Sequence, residues 1–267
     1  DLSYNNILDA DAAYAIAQDF AAPTVAIVKH TNPCGLASGE DMLDTYRRAH
    51  AGDPVAAFGG IVASNRPVTV EMAKEMASLF YEVVIAPDYE PAALDVLLSR
   101  PDLRVLKAPM LVPKETPVQF RSVHGGMLAQ MEDALPEKDV PLRVVSRREP
   151  TLEELTDLLF AWRAVKHVKS NAIVLAQSLS LVGVGAGQMS RVESVDIAVR
   201  KAGDRVSGSV LASDAFFPFP DGVELAAKAG VSAIIQPGGS QRDAAAIEAA
   251  DKNRMAMIFT GRRHFRH

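Results

Sequence analysis

The sequence predicts a layered α/β fold whose mainly parallel sheet is covered by helices, and three observations carry that reading. Short β-branched runs alternate with helical patterns along almost the whole chain. One stretch of that pattern recurs. The composition, 267 residues with 48% apolar and 23% charged, supplies enough apolar surface for a substantial core.

The strands are expected at residues 24–29, 60–63, 83–86, 104–107, 171–176, 181–184, 209–212, 233–236 and 255–259. Between them lie helices with end signals. In 151–166, Thr151 and Glu154 form a capping box, and Leu152, Leu155, Leu159 and Trp162 make an apolar stripe. Ser240 with Asp243 opens a helix over 240–250, and Gly230 closes one over 222–229. The recurrence pairs Ala63-Ser64-Asn65-Arg66-Pro67 with Ala212-Ser213-Asp214-Ala215-Phe216. Each opens a segment that runs through a helix to a strand ending in proline, at Pro87 and Pro237. Arg47-Arg48-Ala49 is likewise echoed by Arg200-Lys201-Ala202. Two copies read as duplicated α/β units rather than a solenoid. Hydrophobic periodicity lapses over 132–150, which sets the expected units at 1–140 and 141–267.

Charge and cysteine content narrow the function. A net charge of −5 argues against a general nucleic-acid or anionic-membrane binder. The single cysteine, Cys34, excludes an internal disulfide framework and a multi-cysteine zinc site, and fits a reducing compartment. No apolar run approaches 18 residues and no signal peptide is apparent, so a soluble, cytoplasmic protein is expected. The first residue is Asp1 rather than methionine, as in a fragment of something longer.

Four motifs bear on chemistry. Lys29-His30-Thr31-Asn32-Pro33-Cys34-Gly35 follows the strand at 24–29 as a polar loop, where open α/β sheets gather ligands. An adjacent ammonium and imidazole disfavour each other's charge, which suits a base and an electrostatic donor. A turn whose Lys29 and His30 merely face solvent is the alternative. A zinc-deaminase pair fails, because position 37 is Ala37 and no second thiolate exists. Next, Gly183-Val184-Gly185-Ala186-Gly187-Gln188-Met189-Ser190-Arg191 runs from strand through glycines to helix, a geometry that accepts anions. Its spacing departs from the dinucleotide fingerprint and it lacks the P-loop lysine. A tight turn stays open beside an anion site gripped by Arg191.

The third motif crowds Phe216, Phe217 and Phe219 between prolines, either as core or as an aromatic wall for a flat heterocycle, with Asp221 alongside. The fourth joins the loop Gln236-Pro237-Gly238-Gly239-Ser240-Gln241 to a tail, Gly261 to His267, holding three arginines and two histidines. That tail is either a solvated end or a docked extension delivering Arg263 to an anion. His50, His124 and His167 fall at a helix end, in a glycine-flanked loop and in a helix tail, without metal-ligand spacing.

Together these residues resemble the formyltransferase (AICAR transformylase) part of the bifunctional purine-biosynthesis family that also carries IMP cyclohydrolase. The likeness runs from Ser3-Tyr4-Asn5-Asn6-Ile7-Leu8-Asp9 through Ala57-Phe58-Gly59-Gly60 and Lys169-Ser170-Asn171-Ala172 to Arg263-His264-Phe265-Arg266-His267. It implies a three-layer αβα fold of two cytidine-deaminase-like units. It also implies formyl transfer from 10-formyltetrahydrofolate to the 5-amino group of 5-aminoimidazole-4-carboxamide ribonucleotide. By the same resemblance, His30 is the general base and Lys29 stabilises developing charge. Gly59, Glu82, Asn171 and Arg191 fall where the family binds the nucleotide. Val192, Phe216, Asp221, Ser240, Gln241 and Arg263 fall where it binds folate. The chemistry uses no metal, some members hold a structural potassium ion, and the family forms homodimers with shared active sites.

The cyclohydrolase domain and the Arg-Tyr-Gly segment that precedes the transformylase have no counterpart in the sequence. Cyclohydrolase activity is therefore not expected of this chain, and transformylase activity is expected to be weakened unless upstream residues exist. The alternatives are a truncated domain that binds nucleotide or folate and dimerises without full activity, a hydrolytic deaminase, and a purely structural dimerisation domain.

Overall fold

A computed structural model describes residues 1–109, 116–133 and 140–267. The first run comprises α1 (Tyr4–Gln18), β1 (Thr24–Lys29), β2 (Asn32–Ser38), α2 (Met42–Ala51), the short α3 (Pro54–Ala57) and β3 (Ile61–Ser64). It continues through α4 (Val70–Ala77), β4 (Val83–Ala86), α5 (Pro91–Leu98) and β5 (Arg104–Lys107). After β6 (Val118–Val123), β7 (Gly126–Met131) and β8 (Arg143–Val144), a similar order returns. That second run is α6 (Leu152–Val165), β9 (Ile173–Gln177), β10 (Ser180–Gly185), α7 (Arg191–Ala202), β11 (Val210–Ser213), α8 (Asp221–Ala229), β12 (Ala233–Gln236), α9 (Asp243–Lys252) and β13 (Ala256–Phe259). Of the stretch expected to divide the chain, residues 134–139 lie outside the described residues.

Among the described residues, eleven strands form one sheet in the order β5-β4-β3-β1-β2-β10-β9-β11-β12-β13-β8, and β6 pairs with β7 in a separate ribbon. The sheet is mixed, which corrects the expected mainly parallel one. Its wings, β3-β4-β5 and β11-β12-β13, are parallel because a helix carries the chain back between successive strands. Its centre is antiparallel because two-residue turns join β1 to β2 and β9 to β10. β2 is where a polar loop was expected. Pro33 and Gly35 hide it in the sequence, yet Pro33 lies opposite a register shift between Ile27 and Val28, where a missing N–H is tolerated.

Helices cover both faces. On one, α1 and α6 pack Ile16 and Trp162 over strand residues such as Ala26 and Val174. On the other, α2, α4 and α5 cover the first run while α7, α8 and α9 cover the second. Glycines set the close approach of helix to strand in both runs. A Cβ on Gly35 would lie 2.1 Å from the Ala49 carbonyl oxygen of α2, and one on Gly183 would lie 2.2 Å from that of Ala198 in α7. Gly183 thus lies in a strand as expected, and Gly185 extends that strand instead of opening an anion loop.

The Thr151 capping box forms as expected: the Thr151 N–H donates to Glu154 at 2.9 Å and the Glu154 N–H to Thr151 Oγ1 at 3.1 Å. The apolar stripe is corrected, since Leu152 is 80% exposed while Leu158, Ala161, Trp162 and Val165 are buried. Gly230 ends α8 at φ 99°. α9 starts at Asp243, whose carboxylate accepts the N–H groups of Gly239 and Ser240, so Ser240 does not cap it.

The two runs meet where β2 lies beside β10. The register pairs Ser180 with Ala37, and the Ser38 N–H donates to the Leu179 carbonyl at 2.9 Å. Arg48 secures that end, donating to the carbonyls of Ser38 and Ser178 and to Ser180 Oγ. Ladder pairing does not extend towards Asn32 and Gly185, and a cleft of about 340 Å³ occupies that end.

Candidate active site

The register places every sequence-nominated residue at one rim of the sheet. β1 is antiparallel to β3, so the Lys29 end of β1 adjoins the starts of β3 and β4, where Gly59 and Glu82 lie. β9 is antiparallel to β11, so Asn171 adjoins the carboxyl ends of β11, β12 and β13. Phe216, Asp221, Ser240, Gln241 and Arg263 follow those ends, while Arg191 and Val192 follow β10. This rim thus gathers the end of β1 and the starts of β3 and β4 from the first run, with the start of β9 and the ends of β10, β11, β12 and β13 from the second.

Lys29, His30 and Asn32 line the cleft from the β1–β2 hairpin, and Gln188 and Lys201 face them from the second run. His30 and Thr31 form the turn, both in the left-handed region at φ 53° and 61°. Lys29 Nζ donates to the Phe58 carbonyl at 2.5 Å, which holds the ammonium beside Gly59. Asn32 Oδ1 accepts the Lys169 N–H at 3.0 Å, bridging the runs. On the cleft wall, Lys201 Nζ lies 2.7 Å from Asp53. Burial alone would raise the Asp53 carboxyl, but Lys201 and the Ala56 N–H outweigh it and hold its pKa below the ordinary value. Burial, then the nearby Asp53 charge, pushes the Cys34 thiol up to about 12, so it stays protonated at neutral pH.

Arg191 is placed differently from an anion-gripping side chain. Its guanidinium is buried and donates to Asp214 Oδ1 at 2.5 Å, Ser213 Oγ at 2.8 Å and Asn171 Oδ1 at 2.9 Å. Ser170 Oγ donates to the other Asp214 oxygen at 2.6 Å. Asn171 Nδ2 in turn donates to the carbonyls of Gln188 and Met189. The Gly187 N–H donates to the Lys169 carbonyl at 2.7 Å, tying this loop to the segment that precedes β9. Arg191 thereby fixes Asn171 and the Gln188 loop rather than presenting a free fork to solvent.

The remaining nominees are less concentrated. Glu82 accepts from Asn6 Nδ2 at 2.6 Å. Phe217 is buried in the core, Phe216 is half-buried, and the exposed Phe219 ring has the Arg242 guanidinium 4.6 Å from its centroid. Asp221 accepts the Gly222 N–H at the start of α8, and Ser240 Oγ accepts from Arg242. Val192 is half-buried, and Gln241 is exposed. The tail docks: Arg262 and His264 pair with Asp133, the His264 N–H reaches the Asp214 carbonyl, and Arg263 is left exposed. Sequence reasoning missed Lys201, Asp53 and Gln188 as cleft residues, because Lys201 and Gln188 reach Lys29 only across the β2–β10 seam and Asp53 only through the packing of α3 on β1 and β2.

His50 bonds Tyr81, His167 bonds Asp19, and His124 sits in the β6–β7 turn. Among the described residues, no cluster of His, Cys, Asp and Glu has a metal-binding arrangement. Nor is any helix among them long and apolar enough to cross a membrane.

The fold and cleft define a layered α/β protein that presents an ammonium and an imidazole at the rim of a mixed sheet. A family profile described as AICARFT/IMPCHase bienzyme matches residues 1–201, and the chain belongs to that family. It is 55% identical over its whole length to the bifunctional purine biosynthesis protein PurH of Desulfitobacterium hafniense, covering 52% of that protein. It is 52% identical to PurH of Halalkalibacterium halodurans and 51% to that of Caldicellulosiruptor saccharolyticus, each again over the whole chain and 52% of the relative. The chain thus spans about half the length of the curated relatives it matches.

Proposed function

We propose that this chain carries the formyl-transfer activity of its family, moving the formyl group of 10-formyltetrahydrofolate to the 5-amino group of 5-aminoimidazole-4-carboxamide ribonucleotide. The observation that carries the reading is the pair Lys29 and His30 on the lip of the cleft between the two runs. The substrate amine is conjugated with its ring and carboxamide and is a poor nucleophile, so attack needs a base within hydrogen-bond reach. His30 accepts the proton lost by the amine as its nitrogen bonds to the formyl carbon. Lys29, with one N–H engaged on Phe58 O, directs its other donors to the formyl oxygen as charge develops there. The bond from the formyl carbon to folate N10 then breaks, and N10 takes up a proton.

In this reading Gly59, Glu82 and Asn171 hold the nucleotide, and Arg191 contributes by orienting Asn171. Val192, Phe216, Asp221, Ser240, Gln241 and Arg263 hold the folate. Four strand spacings separate β1 from β11, and six separate β1 from β13. At about 4.8 Å each, these are roughly 19 and 29 Å. That spread supports a homodimer in which two subunits complete each site. The repeated element order supports two cytidine-deaminase-like units, 1–140 and 141–267, and the enzyme is read as cytoplasmic. A structural potassium ion is carried by the resemblance alone, and this formyl transfer needs none.

A formyl-transfer absorbance assay with both substrates tests the reading, with turnover as the expected result. Binding of nucleotide or folate without turnover would instead favour the truncated binding domain, and sedimentation as a monomer at assay concentration would contradict the shared sites.

A further inference from the structure

We propose that Asp9 is the positioning residue for the base, aiming His30 through the backbone of the turn that bears it; this rests on the reading of His30 given above. Asp9 Oδ2 accepts the His30 N–H at 3.1 Å and Oδ1 accepts the Thr31 N–H at 2.7 Å. Both turn residues are left-handed, a conformation that glycine and asparagine favour and a β-branched residue such as Thr31 resists. Nothing in the local sequence prefers this turn. The carboxylate supplies what the side chains do not, through two charge-assisted hydrogen bonds to its N–H groups. Asp9 does not line the cleft, so it acts on the imidazole through the chain rather than on a bound molecule.

The second run contains the control. Asp157 of α6 accepts the N–H groups of Ser178 and Leu179 at 2.8 and 2.7 Å. Those residues form the β9–β10 turn at φ 52° and 56°. Each carboxylate precedes its turn by the same 21 and 22 residues. Because β2 and β10 are antiparallel, the Ser178 turn falls at the opposite rim, away from the cleft. One device therefore serves two turns, only one of which carries a reactive side chain.

The test compares D9N with D157N in the full-length protein, with H30A and the double variant D9N/T31G alongside. Asparagine keeps one acceptor and turns a donor towards the second N–H. Glycine at position 31 takes the left-handed conformation without help. D9N is expected to lower kcat about tenfold or more with both KM values within about twofold, while D157N keeps the unmodified protein's kcat despite a similar fall in Tm. D9N/T31G is expected to regain most of the lost kcat. The proposal is overturned by undiminished kcat in D9N, by equal kcat losses in D9N and D157N, or by failure of T31G to rescue, which would assign the effect to the carboxylate itself. A fully active H30A overturns the base reading as well, whereas a slow H30A beside a fully active D9N overturns the positioning role alone.

Discussion

The two runs of the chain build the same framework and put different chemistry on it. Both begin with a capped helix, turn a tight hairpin under a helix-borne carboxylate, and lay a second helix against a glycine of the second strand. They diverge after the following strand. Behind β3, Asn65 is buried and neutral, satisfied by the Thr24 N–H and the Phe20 and Ala22 carbonyls. Behind β11, the equivalent position is the buried carboxylate Asp214, balanced by Arg191. The hairpin tips differ too, with His30-Thr31 in one and Ser178-Leu179 in the other. A shared framework thus fixes where groups stand, and local substitutions decide which groups stand there.

Four experiments bear on this contrast, beginning with the largest effect. Arg191→Ala leaves Asp214 buried and uncompensated, an expected loss of about 3–5 kcal/mol and a fall in Tm of about 10 °C. A Tm held within about a degree, with only nucleotide affinity reduced, would make Arg191 a ligand residue instead of a structural one. His30→Ala is expected to lower turnover about 10²-fold or more with Tm unchanged, while Ser178→Ala at the other tip leaves turnover intact. Equal effects at both tips would erase the functional asymmetry.

The third concerns the contact between α1 and the end of α6. Burial would raise the Asp19 carboxyl, but His167 Nε2 at 2.9 Å and Lys166 Nζ at 2.7 Å outweigh it and hold the group well below its ordinary 3.8. A carboxyl whose folded pKa is depressed adds stability that is complete above its unfolded pKa and is lost as pH falls below it. Asp19→Asn should therefore cost about 2 kcal/mol at pH 7, with the gap to the unmodified protein narrowing below pH 4 in urea titrations. A gap independent of pH would remove Asp19 from the acid response. The smallest effect is expected of Thr151→Ala, about 1 kcal/mol by urea unfolding from loss of the cap on α6. A neutral result there would mean that tertiary packing alone holds the helix start.

Much of the framework was legible in the chain because its signals are local. The runs at 24–29, 83–86 and 233–236 are apolar and β-branched enough to be read directly, and the Thr151 box is a short-range pattern. β2 was not legible, since Pro33 and Gly35 argue for a loop and only the bulge opposite and the approach of α2 make them fit a strand. Gly185 misled in the reverse direction, because glycine at every second position from 183 to 187 reads as a loop until a helix is seen pressed against the strand. Among the site residues, Lys29 and His30 stood out through their types and neighbours. Asp53, Lys201 and Asp9 did not, because each acquires its meaning from a partner distant in sequence.

The tapering seam between β2 and β10 carries a mechanical consequence. Strands laced at one end and parted at the other behave like the legs of a compass, and the separation of the points follows the angle at the pivot. Arg48 ties the pivot, gathering Ser38, Ser178 and Ser180 with one guanidinium. The aperture beside His30 thus lies at the rim opposite this tie, with the length of β2 and β10 between them.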